Sequence, residues 1–171
     1  MKLTAEVMNS SVIVTLEIWN MNTNKGLKEE RFSSCAMLLD TGAFMTVIDR
    51  SLALRNGYQI LTPNMLYEKS FVKGIGGRIS ADYAIIPNIR IDGIELGSIY
   101  TCVIDFSDDS STNAILGLNF LREFKTIIDF KDKYNVDIDL EPKFNLHDIC
   151  VGKMFNRYES RFGLYSIHNN N

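Results

Sequence analysis

The sequence predicts an all-β domain with one short helix. Most of the chain consists of short runs of β-branched and aromatic residues, separated by turn signals that contain Gly, Asn or Asp. The clearest run is Val12 to Trp19, and a polar stretch ending at Gly26 follows it. Only the segment from near Leu118 to Phe124 favours a helix of more than one turn. At 171 residues, without a linker rich in Pro, Gly or Ser, the chain suits one domain with a sizeable core.

The same signals predict the other elements in chain order. Phe32 to Leu39 is an apolar strand that leads directly into Asp40. A short strand at Thr46 to Ile48 precedes a single helical turn from Ser51 to Asn56, which Gly57 closes. Further strands are expected at Leu66 to Val72, Arg78 to Ile86, Ile89 to Ile91 and Ile99 to Ile104, and a β-hairpin at Thr126 to Phe130 and Tyr134 to Leu140.

Composition and charge narrow the class of protein. An apolar fraction of 46% describes an ordinary soluble protein, and a net charge of −3 with a pI near 5.4 argues against a nucleic-acid binder. No apolar run is long enough to span a membrane, and the N-terminus lacks a signal-peptide pattern. Cys35, Cys102 and Cys150 match neither a disulfide framework nor a zinc site, so we expect reduced thiols and a cytoplasmic location.

The segment Met37 to Ala43 is the most informative stretch for function. An apolar strand ends abruptly in Asp40-Thr41-Gly42, where the carboxylate loses solvation and the glycine permits a close backbone approach. Such a carboxyl can act as a base, and two that face each other can share a proton and activate a water. An ordinary junction between a strand and a turn has the same residues, so the tripeptide alone does not decide.

Two other motifs contain glycines, one at the tip of a predicted hairpin and one before a predicted helix. Lys73 to Gly77 has three glycines in five residues between two strand-like runs, which indicates the tip of a hairpin that can approach a ligand. Asn113 to Leu121 is an apolar strand, a glycine and the start of a helix. Taken singly, the first is also typical of a plain hairpin turn and the second of a core strand-helix junction.

In this order and spacing, the three motifs resemble the retropepsin-like aspartic proteases, the single-lobe relatives of pepsin. Leu38 to Ile48 resembles the family's catalytic loop, Gly74 to Gly77 its flap, and Ile115 to Asn119 the strand and helix behind the loop. The resemblance covers about Leu16 to Leu140. It implies a closed β-barrel lobe with one short helix, which we expect to span residues 1–140.

The resemblance also implies a mechanism and a partner. Asp40 would face Asp40 of the partner subunit in a homodimer, and the pair would activate a water that hydrolyses a peptide bond between hydrophobic residues, without metal or cofactor. Thr41 would brace the two loops, and Gly42 would leave room for the substrate. The residues expected to bind a peptide or protein substrate are Ala43, Val47, Gly74, Ile75, Gly76, Gly77 and Ile115.

The chain departs from the viral members of the family at the dimer contact. Those members carry two acidic residues where this chain has Phe44 and Met45, and an arginine where it has Leu118. Both sides of that ion pair are therefore apolar, which strands no charge but leaves the viral mode of dimerisation in doubt. The alternative function is a non-catalytic module that uses the same fold for dimerisation or peptide binding.

Residues 141–171 form an extension of undefined structure. Its many apolar residues are unlike a solvated tail, and their spacing fits a helix and a strand equally well. Three roles stay open for it: packing on the lobe, completing the dimer, or covering the cleft as an inhibitory segment.

Overall fold

A computed structural model describes residues 1–23, 31–62, 71–74, 77–106 and 112–143. These residues form eleven strands and two short helices. The strands are β1 (Lys2–Met8), β2 (Ser11–Trp19), β3 (Phe32–Leu39), β4 (Val47–Asp49), β5 (Phe71–Gly74), β6 (Gly77–Ser80), β7 (Asp82–Ile91), β8 (Ile94–Ile104), β9 (Ala114–Leu116), β10 (Phe124–Phe130) and β11 (Val136–Pro142). The helices are α1 (Arg50–Arg55) and α2 (Leu118–Leu121).

Six of the strands close into a barrel, as the sequence predicts for the lobe. Their order is β2, β3, β9, β4, β8 and β7, and β7 returns to pair with β2. Ile18 lies opposite Ile89 at this closure, and Glu17 lies opposite Arg90. The guanidinium of Arg90 donates to both carboxylate oxygens of Glu17, at 2.6 and 2.7 Å, so a bidentate pair reinforces the seam.

The barrel interior is filled by alternate residues of the strands, because successive side chains of a strand point to opposite faces. Val14, Leu16 and Ile18 of β2 are buried in this way. The same core contains large side chains from most other strands and from α2: Met37, Ile48, Ile86, Ile89, Leu96, Leu116, Phe120, Phe124, Ile138 and Leu140.

Three strands extend the sheet beyond the barrel: β1 pairs with β2, β11 with β1, and β10 with β11. β1 is absent from the strands predicted above. It nevertheless alternates, since Leu3 is buried and Ala5 and Val7 pack on the core while Lys2, Thr4 and Glu6 are exposed. The N-terminal amine donates to the carbonyl of Leu140 at 3.0 Å, which attaches the start of β1 to β11.

Other elements differ from the prediction in their bounds. α2 ends at Leu121 rather than Phe124, because Phe124 is buried as the first residue of β10. The strands predicted at Arg78 to Ile86 and Ile89 to Ile91 are divided differently: β6 ends at Ser80, and β7 runs through Pro87 with a register shift between Ile86 and Ile89. Proline has no amide to donate, so the ladder shifts there without ending the strand.

Two predicted regions lie mostly outside the described residues. The strand expected at Leu66 to Val72 is described only from Phe71, and nothing after residue 143 of the extension at 141–171 is described. Neither helix in the described ranges combines the length and apolar character that crossing a membrane requires.

Candidate active site

Asp40 follows β3 at the point where β3 and β9 lie side by side. The two strands are parallel, with Leu38 opposite Ile115 and Leu39 opposite Leu116. The amide of Asp40 donates to the carbonyl of Leu116 at 3.2 Å, which holds the backbone of Asp40 against the end of β9. The backbone of Asp40 is therefore held by two hydrogen-bonded strands, and the residue is only partly exposed.

The turn after Asp40 orients its carboxylate. The amide of Gly42 donates to Oδ1 of Asp40 at 2.7 Å, and the amide of Ala43 donates to the Asp40 carbonyl at 3.2 Å. A Cβ atom at Gly42 would lie 3.1 Å from the same Oδ1, so a side chain there would crowd the carboxylate. Thr41 and Gly42 are exposed at the tip of the turn, and Ala43 is half-buried.

We call residues 40–46 the Asp40 loop. Beyond the turn, this loop is bound to the start of α2. The amide of Leu118 donates to the carbonyl of Ala43 at 2.8 Å, and the amide of Asn119 donates to that of Phe44 at 3.0 Å. These donors belong to the first turn of α2, where backbone amides have no partner within the helix. The loop satisfies them and is fixed in return.

A side-chain network that the sequence did not predict completes this attachment. Oδ1 of Asn119 accepts from the amide of Thr46 at 2.6 Å and from its hydroxyl at 2.8 Å, while Nδ2 of Asn119 donates to the carbonyl of Tyr100 at 2.8 Å. The Thr46 hydroxyl also accepts from the amide of Gly117 at 3.2 Å. Thr46 is fully buried, so these bonds replace water for its polar atoms.

Gly117 permits this close contact. A Cβ atom at this position would lie 2.5 Å from both the carbonyl carbon and the carbonyl oxygen of Met45, and 2.8 Å from the amide nitrogen of Thr46. Its φ of −101° is open to any residue, so the requirement for glycine comes from the neighbouring backbone. The glycine of the Ile115-Leu116-Gly117 motif is thus explained by the packing of the Asp40 loop on it.

A second apolar cluster lies apart from the barrel core and beside the loop. Val47, Ala81 and Cys102 are its buried members, and Met45, Val72, Tyr83, Ile104, Phe106 and Ile115 pack against them. The structure thereby brings together two predicted substrate-binding residues, since Val47 of β4 also pairs with Ile115 of β9. Val72, which the sequence did not single out, adds a side chain from the β5–β6 hairpin.

The predicted flap corresponds to the β5–β6 hairpin. Gly74 is the last residue of β5 and lies opposite Gly77, the first residue of β6. Ile75 and Gly76, the two remaining flap residues, lie outside the described residues. The hairpin is joined to the region of Asp40 through Val72, by way of the apolar cluster.

Charged groups at the end of β4 support the cluster from outside. The carboxylate of Asp49 accepts from the amides of Ser51 and Phe106, at 2.8 and 3.0 Å, and so joins the start of α1 to the chain after β8. Burial raises the pKa of Asp49, but hydrogen bonds from Ser51 and Phe106 outweigh it and leave the pKa below its usual value. Arg50 bridges Asp82 at 2.7 Å and Asp105 at 3.0 Å, which connects the start of α1 to β7 and to the chain after β8.

The chemistry that this site can support is carboxylate chemistry. Burial raises the pKa of the Cys102 thiol to about 11, so Cys102 is a neutral apolar group at pH 7 and not a nucleophile. Within the ranges that the structure describes, no three His, Cys, Asp or Glu side chains are grouped so that they could hold a metal ion. Asp40 is left as the group of this loop that can accept or donate a proton.

Comparison with known proteins identifies the family of this sequence. Residues 29–120 match a family model described as "Aspartyl protease", a match that spans the Asp40 loop, the β5–β6 hairpin and the Gly117 turn. None of the curated proteins matches the sequence.

Solved structures with a similar fold include three proteases or protease-like domains. A retropepsin-like aspartic protease from Rickettsia conorii is 14% identical, with a TM-score of 0.46, and the match covers 82% of this chain and 98% of that one. The EIAV protease in complex with the inhibitor HBY-793 is 18% identical (TM-score 0.41; 70% and 84% covered). The retroviral protease-like domain of Ddi1 from Leishmania major is 15% identical (TM-score 0.36; 84% and 95% covered). At these identities, the family assignment rests on the sequence match over residues 29–120.

Proposed function

Because the chain belongs to the aspartyl protease family, we propose that it is an aspartic endopeptidase that works as a homodimer. The observation that carries the proposal is the position of Asp40, at the end of two paired strands and in a turn whose Gly42 amide donates to the carboxylate. A binding module has no need of a carboxylate held in this way. Cys35 and Cys102 are both free thiols, which suits the cytoplasmic location we expect.

The reaction needs two carboxyl groups, and the Asp40 loop contains one. In the proposed dimer, Asp40 faces Asp40 of the partner subunit across a two-fold axis. Two carboxylates at such close range are not both ionised, so the pair holds one proton; aspartic proteases are the familiar example of this sharing. The ionised carboxylate takes a proton from a water, and the protonated carboxyl polarises the carbonyl of the scissile peptide bond.

The contacts of the loop support this role by holding the carboxylate in place before substrate binds. One end of the loop is attached to β9 through Leu116, and the other end is attached to α2 through Asn119. A catalytic group that is already oriented loses less entropy in the reaction, and displacements of about 1 Å can reduce a rate about 100-fold. Thr41 is exposed at the tip of the turn, and in the proposed dimer it would contact the second subunit.

The apolar cluster beside the loop supports a preference for hydrophobic side chains in the substrate. Val47 and Ile115 lie on adjacent strands just beyond the Asp40 loop, and Val72 approaches from the β5–β6 hairpin. An extended peptide between the loop and the hairpin would place its side chains against these residues. Ile75 and Gly76, at the tip between β5 and β6, would then cover the peptide from the other side.

The experiment is cleavage of a diverse peptide library by the full chain from pH 4 to 8, read by mass spectrometry. Asp40→Asn removes the carboxylate with little change in size and is expected to abolish cleavage. Asp92→Asn is the matched control, because Asp92 is exposed in the β7–β8 turn with a positive φ of 52°, where asparagine is well tolerated. We expect Asp92→Asn to cleave as the unaltered chain does, between apolar residues.

Two results would contradict the proposal. Cleavage that survives in Asp40→Asn would mean that another group performs the chemistry. Absence of cleavage by the unaltered chain, in a sample that is folded and dimeric, would favour the non-catalytic binding module. Circular dichroism of each variant shows whether a loss of activity is instead a loss of fold.

A further inference from the structure

Four large apolar side chains are exposed around the end of the sheet that carries Asp40. Met8, the last residue of β1, is 50% exposed, and Phe44 is 61% exposed in the Asp40 loop. Phe130, the last residue of β10, is 60% exposed, and Tyr134 in the β10–β11 connection is 62% exposed. We call these four residues the end surface. Met, Phe and Tyr side chains are enriched at protein interfaces, so these four residues are candidates for contact with a partner.

Strand register places Met8 and Tyr134 in line with Asp40. Ile13 lies opposite Leu38, and continuation of the same register places Ser11 opposite Asp40. Ser11 in turn lies opposite Met8, and the amide of Val7 donates to the carbonyl of Tyr134 at 3.0 Å. Tyr134 and Asp40 are therefore separated by three strand spacings, or about 14 Å.

A stable interface needs more surface than the Asp40 loop alone provides. A specific interface buries about 800 Å² on each partner and involves about 20 to 30 residues a side. The Asp40 loop has only the residues from 40 to 46, so two loops that meet across a two-fold axis need neighbouring surface to hold them together. The end surface continues the loop on the side of β1 and the β10–β11 hairpin.

The charges beside the end surface are compatible with a second copy. Lys131 bonds to Asp129 and lies 3.6 Å from Asp137, and Lys133 lies 5.0 Å above the ring of Tyr134. Both signs are thus present on one short connection. In a two-fold dimer the same patch meets itself, so a patch of mixed sign avoids the repulsion that a patch of one sign would cause.

We propose that a second copy of this chain docks on the end surface, through Met8, Phe130 and Tyr134 together with Phe44 of the Asp40 loop. The inference rests on the proposed function, since it is the need for a second Asp40 that brings a copy to this end of the sheet. The proposed interface differs from that of the viral enzymes, which contains an ion pair. Here apolar side chains provide the contact, and they come from β1 and the β10–β11 hairpin as well as from the loop.

The test is sedimentation velocity of the full chain over a range of concentrations, without substrate. Tyr134→Glu and Met8→Glu are each expected to raise the dissociation constant of the dimer by at least about tenfold, because each replaces an apolar contact of the interface with a charge. Leu54→Glu is the matched control. Leu54 is 60% exposed on α1. The residues after α1 bond near the opposite end of β2: the Tyr58 hydroxyl donates to the carbonyl of Trp19, and the amide of Met21 donates to the carbonyl of Asn56. This control is expected to leave the dissociation constant unchanged.

The outcomes distinguish this inference from the proposed function. A chain that is monomeric at every concentration overturns the inference, as does a dimer that tolerates both glutamates, which would then use another surface. A dimer that the two glutamates dissociate, with no peptide cleavage by the unaltered chain, supports the interface and contradicts the protease. Thermal unfolding of each variant shows whether the glutamate has disturbed the fold; if it has, Tyr134→Ser and Met8→Ser replace it, with the same direction of change expected.

Discussion

The side-chain oxygen of Asn119 accepts hydrogen bonds from both the amide and the hydroxyl of Thr46, at 2.6 and 2.8 Å. The two residues are 73 positions apart in the chain, and Thr46 is fully buried. Because Asn119 also donates to the carbonyl of Tyr100, one side chain joins the Asp40 loop, α2 and β8. The position of the loop therefore depends on a residue that does not line it.

Asn119→Ala is expected to lower the free energy of unfolding by about 3 kcal/mol, since it leaves the buried amide and hydroxyl of Thr46 without their acceptor. Peptide cleavage should fall more than stability alone explains, because the loop loses one of its attachments. Urea unfolding and cleavage at a temperature where the variant is folded measure the two effects. Asn113→Ala is the control: its side chain is exposed, and we expect a change within about 0.5 kcal/mol. Equal behaviour of the two variants would contradict the role given to Asn119.

Gly117→Ala tests the close packing of the Asp40 loop on the turn before α2. The added Cβ would lie 2.5 Å from backbone atoms of Met45, which cannot rotate away as a side chain can. We expect a loss of about 3 kcal/mol or more in stability, together with loss of cleavage. Gly93→Ala meets no atom within 4 Å and is strained only by its φ of +75°, so it should cost about 1 to 2 kcal/mol. A smaller loss at Gly117 than at Gly93 would show that the loop can move aside.

Glu17→Gln tests the seam where β2 and β7 close the barrel. The hydrogen bond from Arg90 holds the pKa of Glu17 below its usual value, so the folded state binds a proton less readily than the unfolded state does. The stabilisation is therefore present above the carboxylate's pKa in the unfolded chain, and it is lost as the pH falls through the lowered pKa. After allowance for the partial exposure of Glu17, we expect Glu17→Gln to lower the free energy of unfolding by about 1 kcal/mol at pH 7.

The measurement for this seam is urea unfolding of both proteins at pH 7, 5 and 3. The difference between the unaltered chain and Glu17→Gln should shrink toward pH 3. Glu141→Gln is the control, since Glu141 pairs with Lys125 between two exposed side chains and should contribute almost nothing. A difference for Glu17→Gln that stays constant with pH would contradict an electrostatic origin.

The buried thiols are expected to be unreactive in the folded chain. Burial raises the pKa of both Cys35 and Cys102 to about 11, so neither is a thiolate at neutral pH. In a Cys150→Ser background, a disulfide reagent at pH 8 should label neither thiol until urea unfolds the protein, after which both react. Rapid labelling of the native protein would show that the apolar cluster around Cys102 is open to solvent.

The sequence predicted those parts of the fold that local patterns determine. The bounds expected for β3 are those observed, because the strand pattern begins at Phe32 and its apolar end, Met37 to Leu39, stops at Asp40. β1 was not predicted although Leu3, Ala5 and Val7 alternate with polar residues, since its strand conformation depends on pairing with β2 and β11. The joining of two predicted strands into β7 depends on pairing with β8, which continues on both sides of Pro87.

In the candidate site too, local patterns were predictable from the sequence and long-range contacts were not. Asp40, Val47 and Ile115 could be found from motifs, because each lies next to a turn signal or in a short apolar strand. The attachment of the Asp40 loop by Thr46 and Asn119 could not, since it depends on contacts between segments far apart in the chain. Val72 was also missed, because it enters the site only through the folding of the β5–β6 hairpin onto Val47 and its neighbours.

Mixing of subunits tests the central claim, a catalytic pair of Asp40 residues from two copies, most directly. A constant amount of the unaltered chain is mixed with an equal amount of Asp40→Asn, allowed to exchange, and assayed for peptide cleavage. If each active dimer needs both carboxyl groups, cleavage should fall to about half, and to about a quarter with a threefold excess of the variant. Cleavage that is unaffected by Asp40→Asn, while the two chains are shown to exchange, would contradict a shared active site.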